Sequence, residues 1–259
     1  MPTNVKSPTI SIITPSYNQA SFLPQTIESV VQQDYPRVEY IVMDGGSTDG
    51  SVNILRSYGK RVLWESTRDK GQADAINKGI ERSHGDIIGY LNSDDYYLPG
   101  TLQKVAAFFA DNPKAMWVTG DYFIVNGRGK RIHEYVRWYK KMLRKVPTFF
   151  TLGIANSIAQ PSTFWRRGAM REIGIFDVSL HYCMDYDFWL RLIQKYPLYV
   201  MPEALSVFRI HQQSKGRSQF VNQFEEEVMV LKRYTTNPIL LELHKLHAKF
   251  IVRAYLIIK

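Results

Sequence analysis

Between residues 9 and 91, short β-branched runs alternate with longer amphipathic stretches, and this alternation limits the fold more than any other feature of the chain. The runs at 9–14, 38–43, 61–65 and 87–91 are brief, apolar and rich in Val and Ile, the signature of buried strands. Helical periodicity fills the gaps at 21–33, where Ser21 is placed to cap, at 51–58, and from Lys70-Gly71-Gln72 to about 83. Strand, helix, strand, helix with short loops predicts an α/β fold: a mainly parallel sheet with helices on both faces.

Each predicted strand stops at a polar loop. The first ends in Pro15-Ser16-Tyr17-Asn18, the second in Asp44-Gly45-Gly46-Ser47-Thr48-Asp49, and the fourth in Asn92-Ser93-Asp94-Asp95. In open α/β sheets, ligands sit at this carboxyl edge. Paired carboxylates after the fourth strand suit a hard divalent cation held against phosphate oxygens. A polar turn ahead of the next helix explains them as well. The first loop has no Gly-x-Gly-x-x-Gly, which excludes the dinucleotide cradle. Tyr17 can stack on a base and Asp44 can accept from a base edge or ribose; alternatively, the Asp44 loop is a turn leading to an Asp49 cap.

The chain has 259 residues and a formal charge of +9, enough for one large domain and suggestive of an anionic partner. Its one cysteine, Cys183, forms no internal disulfide, which is natural in a reducing compartment. No apolar run reaches the roughly 18 residues of a spanning helix. Residues 1–8 lack a hydrophobic signal core, so a cytoplasmic protein is expected.

Further on, residues 116–125, a turn at Asn126-Gly127 and a return at 130–133 read as a hairpin. Residues 135–150 mix bases and aromatics at helical spacing. Three readings are open: a basic helix with its aromatic face in the core, an interfacial helix on anionic lipid, or a single-strand nucleic-acid binder without a recognised module. A helix beginning near Asp185 carries Asp185 and Asp187 in its first turn, the ordinary place for acids. Neighbouring acids disfavour a thiolate at Cys183, so packing is its expected role. His211 follows a strand-like run at 206–210, and a lone histidine there is either a ligand or structural. Two helices, 220–234 and 238–259, close the chain; the last is apolar and basic, suited to packing on the domain or to lying on an anionic membrane surface.

The ordered set Thr14-Pro15-Ser16-Tyr17-Asn18, Asp44-Gly45-Gly46-Ser47-Thr48-Asp49, Lys70-Gly71-Gln72 through Gly79, and Asn92-Ser93-Asp94-Asp95 resembles family 2 of the inverting glycosyltransferases over about residues 8–212. The resemblance implies the GT-A fold: a nucleotide-sugar-binding half (1–112), an acceptor-binding and catalytic-base half on a mixed sheet (113–217), and a helical extension (218–259). It implies donor contacts from Pro15, Tyr17, Asn18, Asp44, Ser47, Lys70, Gln72, Asn77, Asn92 and Ser93. Gln160, Trp165 and Trp189 would face the acceptor. Asp94, with Asp95 and His211, would hold Mg²⁺ or Mn²⁺, and Asp185 would be the catalytic base with Asp187 in reserve. Asn92 stands where the family's first signature aspartate is usual, and Met184 where a glutamate is usual. The implied activity is metal-dependent transfer from a nucleotide diphosphate sugar to a saccharide or lipid-linked acceptor. It would belong to cell-surface polysaccharide or glycolipid synthesis, with peripheral contact at the inner membrane face through the basic C-terminal helices. The rivals are a non-catalytic nucleotide-sugar binder and a nucleic-acid-binding protein; strand-end acids argue against the latter, since they would repel phosphate. The sequence is silent on oligomeric state.

Overall fold

A computed structural model describes residues 7–212, 214 and 220–258. Residues 1–6, which make up most of the N-terminal stretch, and the boundary drawn at 217/218 lie outside the described residues. The first four strands form as the β-branched runs require: β1 (Ile10–Ser16), β2 (Val38–Asp44), β3 (Leu63–Ser66) and β4 (Ile87–Tyr90). Beyond them come β5 (Tyr96–Tyr97), β6 (Trp117–Asn126), β7 (Thr163–Arg166) and β8 (Tyr199–Ile210). All eight join one sheet in the order β3-β2-β1-β4-β7-β6-β8-β5. β3, β2, β1 and β4 run parallel, β7 is antiparallel to both β4 and β6, and β6 and β8 are again parallel. The direction of winding reverses beside β1, where β2 lies on one side and β4 on the other. A crevice therefore opens at their carboxyl ends.

Helices α1 (Leu23–Val31), α2 (Ser51–Ser57) and α4 (Thr101–Asp111) cover one face through Leu23, Ile27, Leu55, Val105 and Phe109. The other face carries α3 (Gln72–Arg82) and α8 (Met184–Lys195), with Ile76, Ile80, Phe188 and Trp189 in its core. Gly79 lets α3 lie close to the sheet: a Cβ there would stand 2.5 Å from Ile13 Cγ2.

Two regions depart from the sequence expectation. Residues 135–150 do not make one helix: α5 (Glu134–Leu143) stops before Pro147, and Thr148 starts α6 (Phe149–Ile154) with a reciprocal capping box to Thr151. No residue of α5 is fully buried, so its aromatic side does not enter the core. The hairpin return is a single bridge, Val125 to Arg131. One sheet carries both halves, since β4 of the first pairs with β7 of the second. After the short α7 (Met170–Ile173), the last helices, α9 (Phe220–Lys232) and α10 (Pro238–Ile258), pack against α8 and α6 and bury Val230, Leu231 and Leu240. Among the described residues, no helix is long and apolar enough to cross a membrane.

Candidate active site

The loops after β1 and β2 are tied together. Asn18, held at φ +52°, donates its backbone N–H to Ser47 Oγ at 2.8 Å, and its side-chain oxygen accepts from Thr48 N at 2.9 Å. Asp44 is buried, and its carboxylate accepts from Gly46 N, Ser47 N, Ser47 Oγ and Ser66 Oγ. Pro15 is buried in β1 opposite Met43, whereas the Tyr17 ring is 62% exposed beside this knot, open for stacking. Lys70 is exposed at the mouth of α3, where its backbone N–H reaches Asp74.

Past β4 the chain makes the turn that carries the acids. Asp94 is half-buried, and its Oδ2 lies 3.0 Å from His211 Nε2. The imidazole sits 4.4 Å from the Phe22 ring, and Ser214 Oγ accepts the His211 backbone N–H. Asp95 points the other way. It is fully buried, its Oδ1 takes the backbone N–H of Arg209, and burial together with Asp94 raises its pKa well above the carboxylate range. Asp95, expected beside the cation, is thus a buried brace between the turn and β8. Arg209, which the sequence reading did not single out, donates Nε to the Asp94 carbonyl at 2.8 Å and Nη2 to Gln25 at 2.5 Å, and its guanidinium lies over Phe22. A charged residue inside an otherwise apolar run, two positions before His211, was the available signal.

Asn92 sits in a chain of amides. Its Oδ1 accepts from Gln72 Nε2 at 2.6 Å, its Nδ2 donates to Gln160 Oε1 at 3.2 Å, and Gln160 Nε2 donates to the Tyr90 carbonyl at 2.8 Å. An aspartate could not donate here. The amide links α3, the turn and the Gln160–Ser162 segment across both halves. Ser93 is buried below, and its carbonyl accepts from Thr26 Oγ1.

Asp185 lies in the first turn of α8, half-buried, with Oδ1 on the Tyr186 backbone N–H. Burial pushes its carboxyl up to about 6, against the pull of that N–H and of the Lys140 charge, while Glu226 adds to the rise. The Tyr90 hydroxyl, itself pushed up by burial, feels the charge of both Asp185 and Asp95, which sets α8 beside the end of β4. The carboxyl ends of β1, β2 and β4 thus carry an exposed ring and a carboxylate–imidazole pair, with the burial-raised carboxyl of Asp185 beside the end of β4.

The profile of glycosyl transferase family 2 matches residues 11–174. The chain belongs to this family. An uncharacterized glycosyltransferase of Rickettsia typhi is 28% identical over 229 residues, 87% of this chain and 71% of the relative. A PGL/p-HBAD biosynthesis glycosyltransferase of Mycobacterium tuberculosis is 29% identical over 192 residues, 71% of this chain and 70% of that one. Among solved structures, S. aureus TarS 1–349 in complex with UDP-GlcNAc superposes with a TM-score of 0.68 at 21% identity, over 86% of this chain and 65% of that one. The Pyrobaculum calidifontis mannosyltransferase PcManGT, in complex with GDP-Man and Mn²⁺, gives 0.65 at 16% identity over 98% and 81%. The fold is thus that of the GT-A glycosyltransferases, as the strand–helix alternation and the four motifs led one to expect.

Within this glycosyltransferase, several expected contacts are relocated. The Trp165 and Trp189 indoles are fully buried, 5.8 Å apart, and Trp189 stacks on Trp117; they form the core under the site and meet no acceptor. Asn77 spends both ends of its amide on the Phe176 backbone, so it ties α3 to the 174–183 segment instead of holding a nucleotide. Asp187 is buried, with Oδ2 on Arg191 at 2.7 Å and Oδ1 on the Tyr234 hydroxyl at 2.6 Å, which removes it as a reserve base. Cys183 is buried and burial pushes its thiol up, in keeping with packing.

Proposed function

We propose that this glycosyltransferase moves a sugar from a nucleoside diphosphate to an acceptor hydroxyl, with inversion at the anomeric carbon and the help of Mg²⁺ or Mn²⁺. The observation that carries the reading is the Asp94–His211 pair, a carboxylate and an imidazole 3.0 Å apart at the sheet's carboxyl edge. The carboxylate oxygen suits either ion, the imidazole nitrogen suits Mn²⁺ better than the harder Mg²⁺, and the rest of the shell is left for diphosphate oxygens. Bound there, the cation would supply Lewis-acid stabilisation of the departing diphosphate. The complexes of TarS with UDP-GlcNAc and of PcManGT with GDP-Man and Mn²⁺ support the same donor class and cation.

The chain's own residues supply the remainder. Tyr17 stacks on the base, and the knotted Asn18–Ser47 loops shape the nucleoside pocket. The Gln72–Asn92–Gln160 amides keep the turn fixed between donor and acceptor. Asp185 takes the acceptor's hydroxyl proton as the new C–O bond forms opposite the breaking bond to diphosphate oxygen, a step worth about 10²–10⁴-fold. A carboxyl near 6 suits a general base, being ionised at neutral pH yet a stronger base than an ordinary aspartate. Relatives named for PGL/p-HBAD biosynthesis support an envelope glycolipid or polysaccharide as the product class. Membrane contact is assigned to the outer faces of α5 and α10, where Trp138 is 65% and Phe250 68% exposed among lysines and arginines.

The reading is tested by thermal shift with a panel of nucleotide sugars, with and without Mn²⁺, and by turnover. At least one donor should stabilise the protein only when metal is present, and Asp94→Ala should abolish that dependence. Asp185→Asn should bind donor normally and lose transfer by at least about 100-fold. No shift with any donor, or Asp185→Asn retaining near-normal turnover, would remove the proposal.

A further inference from the structure

Glu226 of α9 lies outside the family-matched region, residues 11–174, yet it holds the approach to the catalytic helix. It is buried, and its carboxylate accepts three consecutive backbone N–H groups: His181 at 3.0 Å, Tyr182 at 2.6 Å and Cys183 at 2.7 Å. These are the residues that lead directly into α8, and Asp185 follows two positions later. Cys183, at the cap position of α8, makes no side-chain capping bond, and its thiol turns to α9, to the Gln223 carbonyl and the Glu226 carboxylate. A carboxylate here also meets the positive end of the α8 dipole. Farther along, the same C-terminal region grips α8 a second time: Tyr234 bonds Asp187, and Arg233 pairs with Asp177 at 2.8 Å and stands 3.6 Å from Asp187. The first turn of α8 is therefore held from outside by the extension and fastened at both ends.

We propose that Glu226 is a positioning residue for the transfer reaction: its carboxylate fixes the His181–Cys183 backbone and thereby aims Asp185 into the cleft. The inference rests on Asp185 acting as the base. Charge as well as geometry is involved. Asp185 is faced by Lys140 from α5, by Glu226 from α9, by the Tyr90 hydroxyl from β4 and by the Cys183 thiol ahead of α8; Glu227, also on α9, faces Asp185, Lys140 and the His244 ring of α10. The negative charge of Glu226 helps to keep Asp185 basic, so its removal acts on position and on proton affinity together.

The test compares Glu226→Gln, Glu226→Asp and Asp185→Asn in the full chain, measuring kcat, donor KM and the pH profile of kcat/KM. Glu226→Gln should lower kcat at least about tenfold with donor KM within about twofold, as expected when a reacting group is misplaced without loss of donor binding. Its acid limb should move to lower pH. Glu226→Asp keeps the charge but withdraws the carboxylate by one methylene; it should lose kcat several-fold with the acid limb in place, and it decides the matter if the Gln variant does not fold. Wild-type kcat in either variant, or a loss of kcat in Glu226→Gln with an unmoved limb, overturns the inference. If Asp185→Asn is inactive while Glu226 variants are normal, only this inference fails. If Asp185→Asn stays active, the base assignment itself has failed.

Discussion

At the scale of single residues, the site is built on a substitution of oxygen by nitrogen. Asn92 occupies a place where a carboxylate would add a charge beside Asp94 and against the buried Asp95, whose Oδ2 is 3.5 Å from Asn92 Nδ2. As an amide it accepts from Gln72 and donates to Gln160 at once. Asn92→Asp removes that donor, leaves Gln160 Oε1 facing a carboxylate, and sets like charges together. An unmade buried hydrogen bond costs about 1–3 kcal/mol. The variant should therefore melt several degrees lower in chelator, and added Mn²⁺ should recover part of the loss by offsetting the new charge. A melting point in chelator equal to wild type would show that the amide chain carries no stability.

At the scale of elements, the parallel strands and the loops at their ends were legible because continuous apolar, β-branched runs and polar termini are local properties. What was not legible depended on distant partners. Trp165 and Trp189 sit in segments that resemble acceptor-side motifs, yet which face an indole takes is set by Phe176, Phe188 and Trp117 from elsewhere in the chain. Asp187 looked like Asp185 until α9 and the turn after it brought Arg233 and Tyr234 to it. The basic helix shows the reverse: its spacing allowed a buried aromatic face, but the break at Pro147 leaves Tyr135, Trp138 and Met142 outside. Tyr139 stacks on His247, so α5 and α10 lie side by side. Removing α10 would take Leu240 and His244 out of the core, so surface substitutions are the cleaner probe of membrane contact. Trp138→Glu with Phe250→Glu should weaken co-sedimentation with anionic vesicles at least about tenfold, with unchanged melting temperature. Equal sedimentation of both proteins would rule out this face.

At the scale of the whole molecule, one sheet joins the two halves and a buried cluster of ionisable groups joins the extension to them. That cluster sets opposed demands on pH. Burial pushes Glu227 up to about 7, so the folded protein holds a proton that the unfolded chain has released by about pH 4.5; this contribution falls as pH rises through that window. Burial pushes His247 down to about 4, so the fold disfavours a proton that the unfolded chain takes up near 6.5, and this contribution falls as pH drops through that window. The two slopes oppose each other between pH 4.5 and 6.5 and should leave wild-type stability nearly level there. Glu227→Gln removes only the first. At about pH 8, where the wild-type carboxylate is ionised in both states, the neutral amide should make the protein more stable by on the order of 3 kcal/mol. At about pH 4.5 and below, the gain should vanish. Denaturant titrations of both proteins at about pH 4.5, 6 and 8 measure the difference directly. A gain independent of pH would mean that Glu227 is not held neutral by the fold, and that the charge surrounding Asp185 is arranged otherwise.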